Sequence, residues 1–265
     1  MSWKKNLAIL FSFLFISCEV GEDFIPENPL DPSNPDYIAP QVSITSSPSE
    51  NETITEKQFS FSWEGNREGM LYRYALDNSW SGWLDNKKNV IIDHMDEGGH
   101  TFFVQSSYTS GDTSNVAMVN FTVDAVKGPS LLFSPRFTNA AVGESFTLNL
   151  IAEEVENLSG VEVNLIYDSS IIEIISISPG ELFNELGQII FIEDHNSLNT
   201  VNISSAVWGE DEPSATGSNS IAKIEIQVKQ SGSTLIEIDQ SSSFRDPSNQ
   251  IILINESIGG IIESN

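Results

Sequence analysis

Cys18 is the only cysteine in 265 residues and lies directly behind a short apolar run. Lys4 and Lys5 make a positive start, Leu7 to Ile16 is apolar apart from Ser12, and the small Ser17 precedes the thiol. The run is too short for a mature spanning helix, which takes about 20 apolar residues, and it has the build of a secretory signal peptide. With no second cysteine, no disulfide is available and a hydrophobic core must hold the fold. The other reactive side chains are scattered. His94, His100 and His195 have no metal-ligand spacing, and His100 reads as a structural residue in a turn at the entry to a strand. No Gly-x-Ser-x-Gly elbow and no phosphate-cradling glycine loop occurs. Glu210-Asp211-Glu212 offers oxygen ligands for Ca²⁺, although in so acidic a chain a charged triplet is more often a solvated loop. These groups argue against an enzyme and call for no cofactor.

The chain carries 12 basic and 38 acidic residues, a formal charge of −26. Residues 1–17 hold two of the lysines and no acid, so cleavage before Cys18 leaves 10 basic residues and a charge of −28. Such a surface repels nucleic acid and anionic lipid and favours divalent cations or cationic patches on a partner.

The elements that must position any site are β-strands. Residues 18–40 read as an acidic, Pro-rich tether. Pro26, Pro29, Pro32, Pro35 and Pro40 favour extended polyproline geometry, a semi-rigid spacer. A first folded unit spans residues 41–126. Phe59, Phe61 and Trp63 alternate with polar neighbours, as do Tyr72, Tyr74 and Leu76, a period of two that predicts half-buried strands. Gly98-Gly99 reads as a turn into a strand over Thr101 to Gln105, and Val119, Phe121 and Val123 end the unit. Lys127-Gly128-Pro129 marks the boundary, and a second unit covers residues 129–265. There Phe146, Leu148 and Leu150 alternate, then Val161, Val163, Leu165 and Tyr167. Val201, Ile203, Ser205 and Val207 follow, and finally Ala222, Ile224, Ile226 and Val228. Each strand has one apolar and one wet face. The fold class expected is all-β: two β-sandwiches, the second a larger jelly roll of about nine strands.

Three resemblances accompany these patterns. Leu14-Phe15-Ile16-Ser17-Cys18 resembles the lipobox of bacterial lipoproteins, with Phe15 where leucine is usual; this implies that Cys18 is lipidated and anchors the mature chain to a membrane. Glu19, Glu22 and Asp23 resemble the acidic signature of lipoproteins sent to the outer cell surface. An ordinary signal peptide with an incidental cysteine is the plain alternative. Tyr72 to Asp77, Trp80-Ser81-Gly82-Trp83 and Glu97 to Phe102 resemble bacterial fibronectin/immunoglobulin-like domains, mostly spacers on surface proteins.

The third resemblance rests on Phe133-Ser134-Pro135, the Gly143-Glu144-Ser145-Phe146 turn, Gly160 to Phe183 with Tyr167-Asp168 and Pro179-Gly180-Glu181-Leu182-Phe183, and Ile221-Ala222-Lys223-Ile224. In this order and spacing they resemble a cohesin domain. The resemblance implies a non-catalytic receptor that binds dockerins, small modules built on two calcium loops, through one flat sandwich face. Calcium would then belong to the partner. This chain has no Asp-x-Asp/Asn-x-Asp/Asn-Gly loop of that kind. Glu162 matches by strand position an acidic residue that cohesins use at this face. Asn164 and Ile166 share its side, and Asn202, Ser204, Ala206 and Trp208 supply the neighbouring row. Ile166 is an apolar residue on a wet face, the type that anchors interfaces; Trp208 reads equally as a cap on the core. The related sandwich of carbohydrate-binding modules shares much of the pattern. A polysaccharide ligand stacked on Trp80, Trp83 or Trp208 is therefore the alternative, and a pure spacer role is a third. A coplanar row of solvent-facing aromatics distinguishes the sugar reading; a flat polar face around Glu162 distinguishes the protein reading.

Overall fold

The computed structural model describes residues 27–209 and 212–265. Cys18, the apolar leader, Glu19, Glu22 and Asp23 lie outside the described residues, as do Glu210 and Asp211 of the acidic triplet. The described chain is all-β. No helix in it is long and apolar enough to cross a membrane.

The first domain contains β1 (Val42–Ser46), β2 (Glu52–Ile54), β3 (Phe59–Gly65), β4 (Leu71–Leu76), β5 (Ser79–Trp80), β6 (Leu84–Asp85), β7 (Asn89–Ile92), β8 (Gly98–Ser107) and β9 (Ala117–Val123). β1, β3 and β7 form a three-stranded sheet, which faces a six-stranded one ordered β2-β9-β8-β4-β5 with β6 beside β4. The alternation in β3 buries Phe61 and Trp63 between the sheets, where Phe61 stacks on Phe102 with centroids 4.1 Å apart. Gly98-Gly99 does not turn into the strand; both residues are already within β8, paired with Val123 and Thr122. His100 is accordingly a strand residue. Its Nδ1 lies 2.9 Å from Asp77 and its Nε2 2.9 Å from the Asp96 carbonyl.

The Pro-rich segment also departs from expectation. Residues 27–37 are not extended but turn repeatedly: the Asn28, Asp31 and Asn34 side chains accept backbone N–H groups two residues on, the habit that makes Asx residues turn formers. Leu30 and Tyr37 pack against the first-domain core, and the Tyr108 hydroxyl donates to the Ile38 carbonyl at 2.8 Å. This stretch is docked on the domain and does not stand off from it as a spacer.

The second domain contains β10 (Ser130–Ser134), β11 (Phe137–Asn139), β12 (Ser145–Leu158), β13 (Gly160–Ile166), β14 (Ile172–Pro179), β15 (Gln188–Ser197), β16 (Thr200–Trp208) and β17 (Ala215–Val228). It is completed by β18 (Gly232–Ile238), β19 (Ser243–Arg245), β20 (Ile251–Ile252), β21 (Glu256–Ile258) and β22 (Gly260–Ser264). The count exceeds the nine expected because short edge segments such as β11, β19 and β20 carry no alternation to read. One sheet runs β14-β17-β12-β10-β21; the other runs β11-β22-β18-β13-β16-β15, with β19 and β20 attached beside β13. β21 pairs with β10 and β22 with β11, both in parallel. The apolar faces of β12, β13, β16 and β17 close on one core that includes Leu148, Val163, Ile203 and Ile224, all fully buried.

The two domains meet through charge. Asp96 accepts the Arg136 N–H at 2.7 Å and the Ser134 hydroxyl at 3.3 Å. The Arg136 side chain is 2% exposed and pairs with Glu97, and Lys57 pairs with Glu256 nearer the surface.

Candidate functional site

The strand period that fills the core also sorts the residues left outside it. β13 lies between β16 and the β18/β19 pair, and β16 lies between β13 and the edge strand β15. Register places Glu162 opposite Ser204, Asn164 opposite Asn202 and Ile166 opposite Thr200. Since directly paired residues share a face, Glu162, Asn164, Ile166, Asn202, Ser204 and Trp208 form one surface, as their sequence phase demands.

Hydrogen bonds tie the centre of this surface across strands. The Asn202 amide donates to Asn164 Oδ1 at 2.9 Å and reaches Glu162 Oε1 at 3.4 Å. The Ser204 hydroxyl donates to Asn202 Oδ1 at 3.2 Å. Asn164 in turn donates from Nδ2 to Ser241 Oγ at 3.0 Å, and its backbone N–H donates to Ser242 Oγ at 3.1 Å. The loop that supplies these hydroxyls is itself fixed by Asp239, whose carboxyl is held below the ordinary aspartate range by the Ser241 hydroxyl and then its N–H. The polar patch is therefore pre-ordered, which lowers the side-chain entropy lost when a partner binds.

Apolar residues flank the patch. Trp208 is 67% exposed, so it does not cap the core. Beside it, β15 contributes Ile190 and Ile192, 44% and 56% exposed, paired with Ala206 and Ser204 of β16. These two isoleucines escaped the sequence reading. Ile189-Ile190-Phe191-Ile192 is apolar at every position, because Ile189 and Phe191 pack on the core while their neighbours face out, and a run without alternation hides its phase. Four consecutive large apolar residues in an acidic, polar chain were the available signal.

The tryptophans of the first domain are arranged differently. The Arg73 guanidinium sits over Trp80 at 4.7 Å and over Trp83 at 4.8 Å, and Trp80 also packs on Phe103 at 5.9 Å. Two hydrogen bonds to Gln105 Oε1, at 3.0 and 2.7 Å, hold the arginine. Arg73 thus takes up one face of each ring in a cation–π stack, while both side chains remain partly open to solvent, 40% and 39% exposed. No cluster of three or more metal-ligating side chains occurs among the described residues.

The comparison with protein families decides what kind of sandwich carries the patch. Residues 133–258 match the model of the cohesin domain family. The second domain is a cohesin domain. Solved structures similar to the chain include a type II cohesin domain from the cellulosome of Acetivibrio cellulolyticus, at 18% identity and TM-score 0.45 over 50% of this chain and 94% of that one. The sixth cohesin of scaffoldin B from the same organism, solved in complex with a Cel5 dockerin mutant, aligns at 14% identity and TM-score 0.47 over 52% and 100%. A non-cellulosomal cohesin from the hyperthermophilic archaeon Archaeoglobus fulgidus aligns at 14% and 0.43 over 51% and 90%. No curated protein sequence matches the chain. The cohesin domain contributes every residue of the patch; the first domain contributes none.

Proposed function

We propose that this chain is a non-catalytic receptor whose cohesin domain binds dockerin-bearing proteins through the outer face of β13, β16 and β15. The observation that carries the reading is the cross-strand network Glu162–Asn202–Asn164, fixed within a cohesin domain and bordered by exposed Ile166, Ile190, Ile192 and Trp208. A fixed polar centre beside apolar anchors is the composition of a specific protein interface. Calcium belongs to the partner in this reading. Lipidation at Cys18 would hold the receptor on the outer cell surface, and tethering would raise the local concentration of what it binds. The setting we favour is polysaccharide degradation or surface assembly.

The test is surface plasmon resonance of the full chain against a panel of isolated dockerin modules, in calcium and in chelator. Binding of at least one module, lost on chelation and weakened at least tenfold by the Glu162→Ala/Asn164→Ala double variant, supports the proposal. Failure of every module, or binding indifferent to the double variant, rejects it.

A further inference from the structure

One row across the candidate face is built unlike the others. It reads Arg245 on β19, Gly160 on β13, Ala206 on β16 and Ile190 on β15, each directly paired with the next. Two minimal side chains thus lie between two large ones, and the result is a notch. A depression of about 340 Å³ opens there, and its lining includes Glu162, Ser204, Ser243, Asp246 and Pro247 beside the residues of the row.

The glycine in this row is not required by the fold. Elsewhere in the domain, a Cβ at Gly180 would meet the Ser220 carbonyl oxygen at 2.2 Å, and one at Gly259 would meet the Ile236 oxygen at 2.5 Å. Gly143, Gly217 and Gly232 have positive φ, the region that side chains avoid. Gly160 has neither feature: a Cβ there would meet only the Ala206 and Arg245 Cβ atoms, at 3.8 and 4.0 Å, ordinary contact distances. Glycine weakens a strand, and its presence in one marks a bulge, a bend or a close approach by a ligand or another backbone. β13 pairs with β16 from Gly160 to Ile166 without a register shift, so no bulge calls for the glycine; it opens β13 just after the chain crosses from β12 in the other sheet, and its bare Cα lets an outside group approach the strand closely.

We infer that the notch at Gly160 is a socket for one branched aliphatic side chain of the partner, with Ile190 as its apolar wall. This deepens the proposed function and rests on it. The charge of the face orients the partner. Glu162 and Asp194 lie two and four residues along the strands from the notch row, and Glu237 pairs with Ile166 beyond them. Glu162 reaches the rim of the socket itself, and at about 3.3 Å per strand residue the acidic groups continue along the face to roughly 13 Å and beyond. The complementary surface carries an aliphatic residue followed over that distance by lysine or arginine.

Two measurements test the socket. In the first, N-acetyl-leucinamide is titrated into the ¹⁵N-labelled full chain, with N-acetyl-lysinamide as the control. Leucinamide should shift the amide resonances of Gly160, Ser204 and Ala206 at millimolar concentration, and Gly160→Leu should abolish the response. No shift up to the solubility limit, or an equal response to both compounds, overturns the inference. In the second, the dockerin panel is repeated with Gly160→Leu, which should bind at least tenfold more weakly, while Gly160→Ala keeps the wild-type melting temperature or exceeds it. Undiminished dockerin binding by Gly160→Leu, together with loss in Glu162→Ala/Asn164→Ala, rejects the socket and leaves the face intact. If no dockerin binds the wild type, the face reading fails and the leucinamide titration alone decides the socket.

Discussion

Replacing Arg136 by methionine should loosen the domain junction by about 2 kcal/mol. Removing one member of a buried ion pair costs about 3–5 kcal/mol when the other charge is left stranded. Two features of the site reduce that figure. Glu97 is 13% exposed and keeps the Ala125 N–H on its second oxygen at 2.8 Å, so its carboxylate is not abandoned. Arg136 Nε is itself buried without a hydrogen-bond partner, a cost of about 1–3 kcal/mol that methionine does not carry. The Arg136 backbone N–H still reaches Asp96 in the variant. At about 2–4 °C per kcal/mol for a chain of this size, the melting temperature should fall by about 4–8 °C. The assay is a double-mutant cycle by urea denaturation with Glu97→Gln, which removes the stranded charge. The double variant should regain most of the loss and give a coupling of at least about 1.5 kcal/mol. An unchanged single variant, or a double variant whose losses simply add, would refute the view that this pair fixes the domains to each other.

Three further outcomes are expected. Burial holds the Asp96 carboxyl above the ordinary aspartate range against the opposing pull of the Arg136 N–H and charge. Its contribution to stability is therefore complete below about pH 3.9 and is lost as pH rises through the raised value. Asp96→Asn should accordingly gain on the wild type between pH 4 and pH 7 in urea midpoints, and a pH-independent difference would count against this account. Ile224→Ala, at a fully buried core position, should cost about 2–5 kcal/mol; a smaller loss by chemical denaturation would mean the core readily collapses there. In a bacterial host, Cys18→Ala should abolish incorporation of labelled palmitate and release the chain from the membrane fraction, whereas continued labelling would rule out this cysteine as the anchor.

The parts of the fold legible in the sequence were those where one strand face is wet. Val161, Val163 and Leu165, or Ala222, Ile224 and Ile226, announce both a strand and its phase; that phase put Glu162, Asn164, Asn202 and Ser204 on wet faces, and the resemblance to a cohesin domain made the two rows neighbours. β15 was not legible, because an edge strand with apolar residues on both sides has no period to detect, and the socket wall Ile190 was missed with it. The junction was not legible either. Asp96, Glu97 and Arg136 belong to loops and strand ends of different domains, and pairing there depends on how the domains meet and not on any spacing along the chain. The prolines from Pro26 to Pro40 suggested an extended, semi-rigid spacer. The Asn and Asp residues between them make turns instead, and composition alone did not weigh the two tendencies against each other.

The parallel pairing of β10 with β21 and of β11 with β22 joins the first strands of the cohesin domain to its last. Such closure has a consequence in time. A growing chain that has released β10 to β20 still lacks β21 beside β10 and β22 between β18 and β11, so β11 has no strand to pair with until residues 256–264 arrive. Contacts between sequence-distant strands form slowly because the loop must close before they reward it. The domain should thus acquire its structure all at once when β21 and β22 emerge, and deletion of residues 256–265, which removes both strands, should leave a protease-sensitive and sticky chain and not a slightly shorter receptor.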